Sequence, residues 1–555
     1  MKSKIVSSME KIMPMNEPLE AENSNRMFKN EKLNFQIAVK NDTPDQCKMN
    51  TIVVKGDLAE FVTLRTVELV PSFYCPTQTD DYYITTEPGV FPDKLKPMTE
   101  IGFSVTPNQW RGIWVTIFNE DGLPNGVHRL VFDILNEKKE SVGELAYEVT
   151  VIDEFLPKSD LVTSNWMHYD CIAQQHRVEP FTDEFYAVFE KYLKAYVDCG
   201  NNTLLVPLFT PPLDTLVGGE RKTCQLVSVR KEGNTYEFDF DKLEYFIRFV
   251  LERGVSYLEF SHLFTQWGGA HPPKIVATAD GEEKKIFGWD DASDCEEYKA
   301  FLNEFLPALV NKIHLWNLQD RIFFHLTDEP QESQAEAYAK CREMVKAHVG
   351  KIPIVDALSD YSFYEKGLIE IPCVQTPFYK KFREKGVKNC FAYYCCCPTD
   401  GYYSNRILNI PLQRTRILGL QLYENGAKGF MHWGFNFYNT AYSLSKVDPN
   451  EDTSAGGLFP SGDSFIVYPN EDNVIMTIRA ESMYEAYQDY RLCKLAEAYL
   501  GEEKTREILQ RAGICDFNVY PRSVSAHKRI RETLIENIIE RKCRNATCVA
   551  GENQG

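Results

Sequence analysis

Two adjacent acidic residues, Asp328 and Glu329, stand at the end of a short apolar run. The run is Phe323-Phe324-His325-Leu326, and Pro330 follows the acidic pair. A periodic apolar pattern then predicts a helix over residues 331–349. This order is typical of a strand that carries acidic residues to its carboxyl end, which is where chemistry sits in barrels of alternating strands and helices.

The same residues also match an ordinary helix start. Thr327 or Asp328 is a favourable N-cap, and Pro330 suits the first helical turn. Acidic side chains also suit the positive end of a helix. Taken alone, these residues favour the interpretation as a helix cap. A catalytic role would be supported only if further polar residues lay at the same end of the barrel. We expect the backbone to cap the helix while both carboxylates reach a ligand.

Strand-like patterns fill the amino-terminal part of the chain. Residues 33–39, 112–117 and 147–151 alternate between apolar and polar side chains, and turn residues separate such runs from about 31 to 154. Several short strands at this spacing predict an antiparallel β-sandwich. The simplest role for this domain is to pack against a catalytic one.

From about residue 160, short apolar runs alternate with helical patterns. Eight such runs begin near residues 165, 203, 257, 322, 352, 372, 390 and 429. Their number predicts a (β/α)8 TIM-type barrel, because an open doubly wound sheet needs a Gly-rich first turn that is absent here. Helices are expected at 406–425 and 477–500, and short ones from 504 and 524. The predicted multidomain β + α/β chain has an N-terminal β-sandwich (1–155), a catalytic barrel (160–500) and a C-terminal helical extension (501–555).

The predicted strand ends carry polar, acidic and aromatic residues. Carboxylates ringed by aromatic rings are the usual apparatus for sugars, since acids protonate the glycosidic oxygen and rings stack on apolar sugar faces. Nucleophile-elbow, phosphate-loop and metal-ligand patterns are missing, so neither a cofactor nor a metal is predicted. The strand-end residues are His168, Asp170, Glu259, Ser261, His262, Asp328, Glu329, Tyr393, Tyr394, His432, Trp433 and Asn436.

The net charge and the cysteine pattern limit which partners and which cellular compartment are expected. The net charge is −19, which argues against nucleic acid and anionic membranes as main partners. Neither a signal peptide nor a transmembrane segment is predicted. The 16 cysteines are scattered, apart from the consecutive Cys395, Cys396 and Cys397, and no spacing resembles a zinc site or a disulfide framework. Reduced thiols in the cytoplasm are therefore expected.

Two neighbouring carboxylates suit one kind of glycosidase in particular. Neighbouring residues at a strand end point in different directions, so one can hold the substrate while the other protonates it. If the sugar carries a 2-acetamido group, its carbonyl oxygen can itself attack the anomeric carbon. The first carboxylate then orients the amide, and the second is the general acid, whose pKa is raised by its negative neighbour.

The second half of the chain resembles glycoside hydrolase family 123 and its relatives catalogued as domain of unknown function 4091. The residues that carry the resemblance lie in segments 166–170, 209–215, 218–221, 260–268, 325–330, 405–406, 429–436, 462–463 and 468–469 and at Arg479. The resemblance implies a β-sandwich followed by a (β/α)8 barrel, and β-N-acetylgalactosaminidase activity assisted by the acetamido group. By position, it makes Asp328 the acetamido-orienting residue and Glu329 the general acid/base. The substrate contacts expected with it are His168, Asp170, Gln266, Trp267, Tyr393, Arg406, His432, Trp433 and Asn436.

Three hypotheses follow. The first is a retaining exo-glycosidase that releases terminal β-linked N-acetylhexosamine, with N-acetylgalactosamine preferred, from an oligosaccharide or glycoconjugate. The second is a conventional two-carboxylate glycosidase for a sugar without an acetamido group, with Glu259 or Asp170 as the nucleophile. The third is a glycan-binding protein without catalytic activity, which the intact Asp328-Glu329 pair disfavours. No membrane insertion is expected, and the sequence gives no prediction of the oligomeric state.

Overall fold

The computed structural model describes residues 1–42, 48–76, 80–471 and 473–552. The chain divides into two compact units. The sandwich unit consists of Met1–Asp160, Thr399–Asn425 and Ile475–Gly555, and the barrel unit consists of Leu161–Pro398 and Gly426–Val474. Two segments that the sequence assigned to the barrel domain, 399–425 and 475–500, thus pack within the sandwich unit.

Two five-stranded sheets face each other across the apolar core of the sandwich unit. Alternation places Phe35 and Val115 of one sheet in the same core as Phe132 and Val149 of the other. The neighbouring strands are antiparallel, except that Ser24–Phe28 runs parallel to Ser141–Ile152. In spatial order, one sheet contains Lys2–Ser7, Leu33–Lys40, Trp110–Ile117, Val62–Ser72 and Gly89–Pro97, and the other contains Ser24–Phe28, Ser141–Ile152, Gly126–Asn136, Lys48–Lys55 and Phe103–Val105.

Helices from later in the chain complete the sandwich unit. Leu412 and Ile478, from two of these helices, share an apolar cluster with Trp114 of the first sheet. Gly419 permits close helix packing, because a Cβ there would lie 1.7 Å from the backbone oxygen of Ala486. The helices are Leu412–Arg416, Leu418–Asn425, Ile478–Leu500, Glu502–Arg511 and Val524–Glu552, with a 3-10 turn at Ala59–Phe61.

Two helix predictions in this region are wrong. The helix expected from residue 406 begins only at Leu412, because Pro411 lacks the N–H that a helix interior needs and takes the N-cap position instead. The last helix, Val524–Glu552, has 29 residues and is not short.

Eight parallel strands form the barrel, which confirms the predicted architecture. Apart from the fourth and fifth, consecutive barrel strands pair with each other, and the first pairs with the eighth. A single bridge between Phe324 and Ile354 joins the fourth and fifth, so the barrel is nearly closed. In chain order, the barrel strands are Val162–Asn165, Thr203–Val206, Tyr257–Phe260, Ile322–Phe324, Val355–Ala357, Ile371–Gln375, Phe391–Tyr393 and Gly429–His432.

Helices and insertions surround these strands. The α-helices are Tyr169–His176, Asp183–Asp198, Asp241–Leu251, Glu296–Leu315, Ala335–Val349, Tyr361–Glu365 and Thr376–Glu384, and 3-10 turns lie at Glu332–Gln334 and Ala441–Ser443. A four-stranded side sheet contains Ser228–Glu232, Thr235–Asp239, Ile275–Ala279 and Glu282–Phe287, and a two-stranded pair contains Tyr468–Asn470 and Asn473–Ile475. Across the described ranges, no helix combines the length and apolar character that spanning a bilayer requires.

Apolar side chains fill the barrel interior. Leu205, Phe323, Val355, Cys373 and Met431 come from five different strands and belong to one buried cluster. Because the interior is packed, the barrel is not a pore, and a ligand must bind where the strands end.

Candidate active site

The acidic pair lies on an irregular turn directly after the fourth barrel strand. Glu329 has a φ of 46°, in the left-handed region that side-chain-bearing residues adopt at an energetic cost and that is common at functional sites. Its N–H donates to the Ala357 oxygen at 3.0 Å, and the Asp328 oxygen accepts from the Trp267 N–H at 2.8 Å. In an extended strand the two side chains would point to opposite faces, but this turn brings both to one cavity.

The helix after the pair begins later than predicted. Gln331, not Thr327 or Asp328, is the N-cap, and it forms a reciprocal capping box with Gln334. The hydroxyl of Thr327 donates instead to the Thr265 oxygen at 2.6 Å. The prediction that the acidic segment caps the helix is therefore wrong, and the Asp328 carboxylate has no capping role.

A cavity of about 160 Å³ lies at the carboxyl ends of the barrel strands. Its walls include the two carboxylates and the aromatic side chains of Trp166, Trp267, Tyr393 and Trp433. Trp267 is 42% exposed and so stands at the rim. Of the residues expected to contact substrate, the structure brings five to this cavity, namely Gln266, Trp267, Tyr393, His432 and Trp433.

Asp463 holds two of these side chains in place. Its Oδ2 accepts from the indole N–H of Trp433 at 3.0 Å, and its Oδ1 lies 3.3 Å from Nε2 of His432. The N–H of Gly434 donates to Nδ1 of His432 at 3.0 Å, so the proton of a neutral ring belongs on Nε2. His432 and Trp433 therefore present fixed faces to the cavity.

Three other expected contacts do not line the cavity. His168, Asp170 and Asn436 are buried. Arg221 joins the first two by donating to both Asp170 oxygens, at 2.8 and 2.6 Å, and to Nδ1 of His168 at 3.1 Å. Nε2 of His168 then donates to the Trp433 oxygen at 2.9 Å. Burial and the Arg221 charge lower the pKa of His168 to about 3. This neutral, hydrogen-bonded layer supports the backbone that carries Trp433.

Arg406 belongs to the sandwich unit and is fully buried there. It is not among the cavity residues, and its backbone oxygen accepts from Arg479 at 3.4 Å. Sequence reasoning in turn gave no role to several residues that do line the cavity. One of these residues, Asp214, is acidic and lies in a segment that carries the family resemblance, and these two features could have identified it from the sequence. The residues without an assigned role are Trp166, Leu213, Asp214, Ala357, Cys373, Cys395, Cys396, Met431 and Phe459.

The environment of Asp328 and Glu329 favours the protonated forms of both carboxyl groups. Burial and the neighbouring Glu329 charge raise the pKa of Asp328 well above its ordinary value. Burial also raises the pKa of Glu329, although the Tyr393 hydroxyl, which donates to Oε1 at 2.6 Å, acts against this rise. Because adjacent carboxyl groups titrate as a pair, there is a pH range in which the pair holds one proton and one negative charge. That state supplies an acid and a carboxylate together.

A charged histidine lies beneath the pair. Burial opposes the charge on His325, but contacts with Asp356 at 3.3 Å and Glu259 at 3.8 Å outweigh burial and raise the pKa of His325 to about 9. The positive charge of His325 limits the rise in the pKa of Asp328. The ring of His262 stacks on His325 at 4.6 Å, and burial with the His325 charge lowers the pKa of His262 well below its usual value.

Glu259 is part of this lower layer. It is fully buried and accepts from the Ser164 hydroxyl at 2.8 Å and from the Trp166 indole at 3.1 Å. It does not line the cavity, and neither does Asp170, which is paired with Arg221. Glu259 and Asp170, the two nucleophiles considered for a conventional two-carboxylate mechanism, therefore both bind other side chains and lie outside the cavity.

Asp214 is a third carboxylate on the cavity wall. Its backbone is left-handed, with a φ of 42°, and its Oδ2 accepts from the Tyr442 N–H at 2.9 Å. Burial raises the pKa of Asp214 to about 6, against the lowering effect of Arg221. This side chain can accept a hydrogen bond from a sugar hydroxyl, and it can be protonated near neutral pH.

Within the described part of the chain, two groups bring three potential metal-ligating atoms within 4.8 Å of one another. One is His262, His325 and Asp356, in the buried layer; the other is Cys395, Cys396 and Cys397, beside the cavity. The sequence predicted no metal, and the consecutive cysteines lack the usual zinc-site spacing. Only the fold brings these atoms together.

Comparisons with known proteins identify the family of this chain. A family model described as the catalytic domain of glycoside hydrolase 123 matches residues 166–496. No curated protein matches the chain. A family 123 glycoside hydrolase from Clostridium perfringens, studied for glycolipid glycan hydrolysis, has a TM-score of 0.72 and 13% identity, and the match covers 100% of both chains. At this identity, the structural match supports a shared fold.

Two other solved structures are less similar. The endo-beta-1,4-mannanase from Thermotoga petrophila has a TM-score of 0.34 and 12% identity, over 61% of this chain and 78% of that one. A beta-glucuronidase from Parabacteroides merdae has a TM-score of 0.32 and 11% identity, over 88% and 51%. Both TM-scores are too low to indicate a shared fold. The family match, by contrast, covers more than half of the 555-residue chain, and the chain therefore belongs to glycoside hydrolase family 123.

Proposed function

We propose that this glycoside hydrolase releases terminal β-linked N-acetylhexosamine, preferably N-acetylgalactosamine, with retention of configuration and with help from the acetamido group. One observation carries the proposal. Asp328 and Glu329 are adjacent, line one cavity and both have raised pKa values. An acid and a charged amide-orienting group are what this reaction requires.

In the first step, the Asp328 carboxylate accepts a hydrogen bond from the acetamido N–H. This bond favours the charged form of Asp328 and leaves the shared proton on Glu329. The acetamido oxygen then attacks the anomeric carbon as the glycosidic bond breaks, and Glu329 donates its proton to the leaving oxygen. Asp328 stabilises the positive oxazoline-type intermediate.

In the second step, Glu329 acts as the base. Its carboxylate takes a proton from water while the water oxygen attacks the anomeric carbon and the oxazoline ring opens. The two displacements at one carbon restore the original configuration. Tyr393, which donates to Oε1 of Glu329 at 2.6 Å, stabilises the charged form of Glu329 that exists between the two steps.

The cavity supports action on a chain end. Its volume of about 160 Å³ is below the roughly 300 Å³ at which pockets for drug-sized ligands begin, so one sugar ring is the suitable occupant. The indoles of Trp166 and Trp433 offer apolar faces for that ring. Since the C. perfringens relative is described for glycolipid glycan hydrolysis, we propose glycoconjugates, including glycolipid glycans, as substrates.

The conventional two-carboxylate mechanism remains the second candidate because Asp214 also lines the cavity. In that case Asp214 would attack the anomeric carbon, since Glu259 and Asp170 are engaged elsewhere. A 2-fluoro sugar would then trap a covalent ester on Asp214. If the wild-type enzyme hydrolyses the acetamido glycoside but forms no such ester, the conventional route is excluded.

A screen of aryl β-glycosides tests the proposed function. We expect hydrolysis of the N-acetylgalactosaminide above the other sugars, and we expect Glu329→Gln to lower kcat/KM about 100- to 10,000-fold. The matched control is Glu332→Gln, since Glu332 is exposed on the following turn. Full activity of Glu329→Gln, or a stronger preference for a sugar without an acetamido group, would overturn the proposal.

We further propose that the enzyme acts in the cytoplasm. No disulfide joins the cysteines that the structure describes, which is the pattern of a reducing compartment. Fractionation of the native cells, followed by detection of the protein, tests this location. Recovery in the extracellular fraction would contradict it.

A further inference from the structure

Three consecutive cysteines follow the seventh barrel strand, Phe391–Tyr393, at its carboxyl end. Cys395 and Cys396 line the same cavity as Asp328 and Glu329, and Cys397 is exposed to solvent. Glycosidic bond cleavage by the proposed route uses none of these thiols.

The three sulfur atoms converge. Sγ of Cys395 lies 3.8 Å from Sγ of Cys396 and 3.8 Å from Sγ of Cys397, and all three lie within 4.8 Å of one another. Four thiolates around a tetrahedral zinc ion, with Zn–S bonds of about 2.3 Å, are about 3.8 Å apart. Two of the three distances between the sulfur atoms therefore already equal the sulfur–sulfur distance of a tetrahedral zinc site. Three consecutive residues in a turn need not place their sulfur atoms this close together.

The surrounding groups hold this arrangement. The N–H of Cys395 donates to the Cys397 oxygen at 3.0 Å and closes the turn. The side-chain amide of Gln375 donates to Sγ of Cys397 at 3.0 Å and to the oxygen of Cys397 at 3.1 Å. An outer residue that donates to a ligand atom and fixes its direction is a regular feature of metal sites.

We propose that Cys395, Cys396 and Cys397 form a three-thiolate site for a thiophilic metal ion such as Zn²⁺ or Cd²⁺, and that the bound ion inhibits the enzyme. Soft thiolate ligands select such ions over Mg²⁺ and Ca²⁺. On binding, each thiol releases its proton to solvent and its sulfur forms a bond to the ion. A fourth position stays open for water or another donor.

Inhibition follows from where two of the ligands lie. Cys395 and Cys396 form part of the cavity wall, so an ion that they hold, together with the donor in its fourth position, takes up space that a bound sugar needs. The inhibition rests on the proposed function, but the binding of the ion does not.

The buried group of His262, His325 and Asp356 is a weaker candidate. His325 already contacts Asp356 and Glu259, and its side chain and those of both carboxylates are fully buried. An ion there would have to displace these contacts and pass through the packed barrel.

Titration of the reduced full-length protein with Cd²⁺ tests the binding. We expect a thiolate-to-cadmium absorption band in the ultraviolet that saturates at one equivalent. The double variant Cys396→Ser/Cys397→Ser should lose the band, and Gln375→Ala should weaken binding about 10- to 100-fold. The control, Cys515→Ser/Cys543→Ser, removes two exposed thiols elsewhere and should keep the band.

Two results would overturn the site. One is the absence of a saturable band in the wild-type protein, and the other is an unchanged band in Cys396→Ser/Cys397→Ser. Inhibition is tested by adding one equivalent of Cd²⁺ to an active preparation and then a chelator, which should restore the lost activity. If Cd²⁺ binds saturably but kcat/KM is unchanged, the metal site stands and the proposed inhibition is overturned. If the enzyme hydrolyses none of the aryl glycosides, the proposed function is overturned, and the Cd²⁺ titration still tests the metal site.

Discussion

At the scale of single residues, the central feature is a proton shared by Asp328 and Glu329. Glu329 needs that proton to begin the reaction, whereas Asp328 needs its charge to hold an acetamido group. Burial raises both pKa values, so the window in which the pair is half protonated lies above the range of ordinary carboxyl groups. Activity should therefore fall at low pH, when Asp328 gains a proton, and at high pH, when Glu329 loses its proton.

Tyr393→Phe should move the alkaline limb of the kcat/KM profile to higher pH. The hydroxyl donates to the Glu329 carboxylate and lowers its pKa, so without it Glu329 keeps its proton to a higher pH. Tyr245→Phe is the control, since Tyr245 is exposed and does not line the cavity. An alkaline limb that stays in place or moves to lower pH in Tyr393→Phe would contradict this account.

At the scale of elements, the ends of the third, fourth and fifth barrel strands form a charged layer below the cavity. Glu259, His325 and Asp356 each come from one of these strand ends, and Tyr338 adds a hydrogen bond of 2.7 Å to Asp356. Fully buried charges need such partners, because an unpaired one is strongly destabilising. The layer therefore fixes the segment that leads into Asp328. Within it, the charge of His325 lowers the pKa of Asp328 and that of Asp356 raises it.

His325→Gln should move the acid limb of kcat/KM to higher pH. His325 lowers the pKa of Asp328, so its removal lets Asp328 take up a proton at a higher pH and lose its amide-orienting charge. His262→Phe is the matched variant, because it keeps a stacked ring at 4.6 Å and leaves the imidazolium of His325 in place. Equal acid limbs in the two variants would show that the charge of His325 does not act on the pair.

The element scale also shows what the sequence could predict. All eight barrel strands and the residues at their ends followed from periodicity, because apolar runs and turn residues are local signals. The left-handed backbone at Glu329 and Asp214 could not be predicted in this way, because hydrogen bonds to residues elsewhere in the chain impose it. His168, Asp170 and Asn436 follow strands as expected, yet Arg221 draws two of them away from the cavity. Which strand-end residue reaches a ligand thus depends on partners distant in sequence.

At the scale of the whole chain, two units are built from interleaved segments. Asp489, on helix Ile478–Leu500, accepts from Arg416 at 2.9 Å and from His527 at 2.7 Å, and it also pairs with Arg531. These partners come from two other helices of the sandwich unit, Leu412–Arg416 and Val524–Glu552. Local patterns predicted most of these helices, but their assignment to this unit depends on such long-range pairs. That is why the sequence placed the helices at 406–425 and 477–500 with the barrel and the later ones in a separate extension.

Asp489→Asn should destabilise the sandwich unit by about 3–5 kcal/mol, since it leaves buried cations without their common partner. Hydrogen exchange of peptides from Ile478–Leu500 and Val524–Glu552 should become faster. Asp198→Asn is the control, because the exposed pair of Asp198 with Lys194 is worth less than about 1 kcal/mol. Unchanged exchange in Asp489→Asn would contradict the role given to this residue.

The most direct test of the account is the hydrolysis of aryl β-N-acetylgalactosaminides whose acetamido methyl group carries zero, one, two or three fluorine atoms. Each fluorine withdraws electrons and makes the acetamido oxygen a weaker nucleophile. If that oxygen attacks the anomeric carbon while Asp328 holds the amide, kcat/KM should fall steeply with each added fluorine. A rate that is independent of fluorine number would mean that an enzyme side chain or water attacks instead, and the roles given to Asp328 and Glu329 would have to be withdrawn.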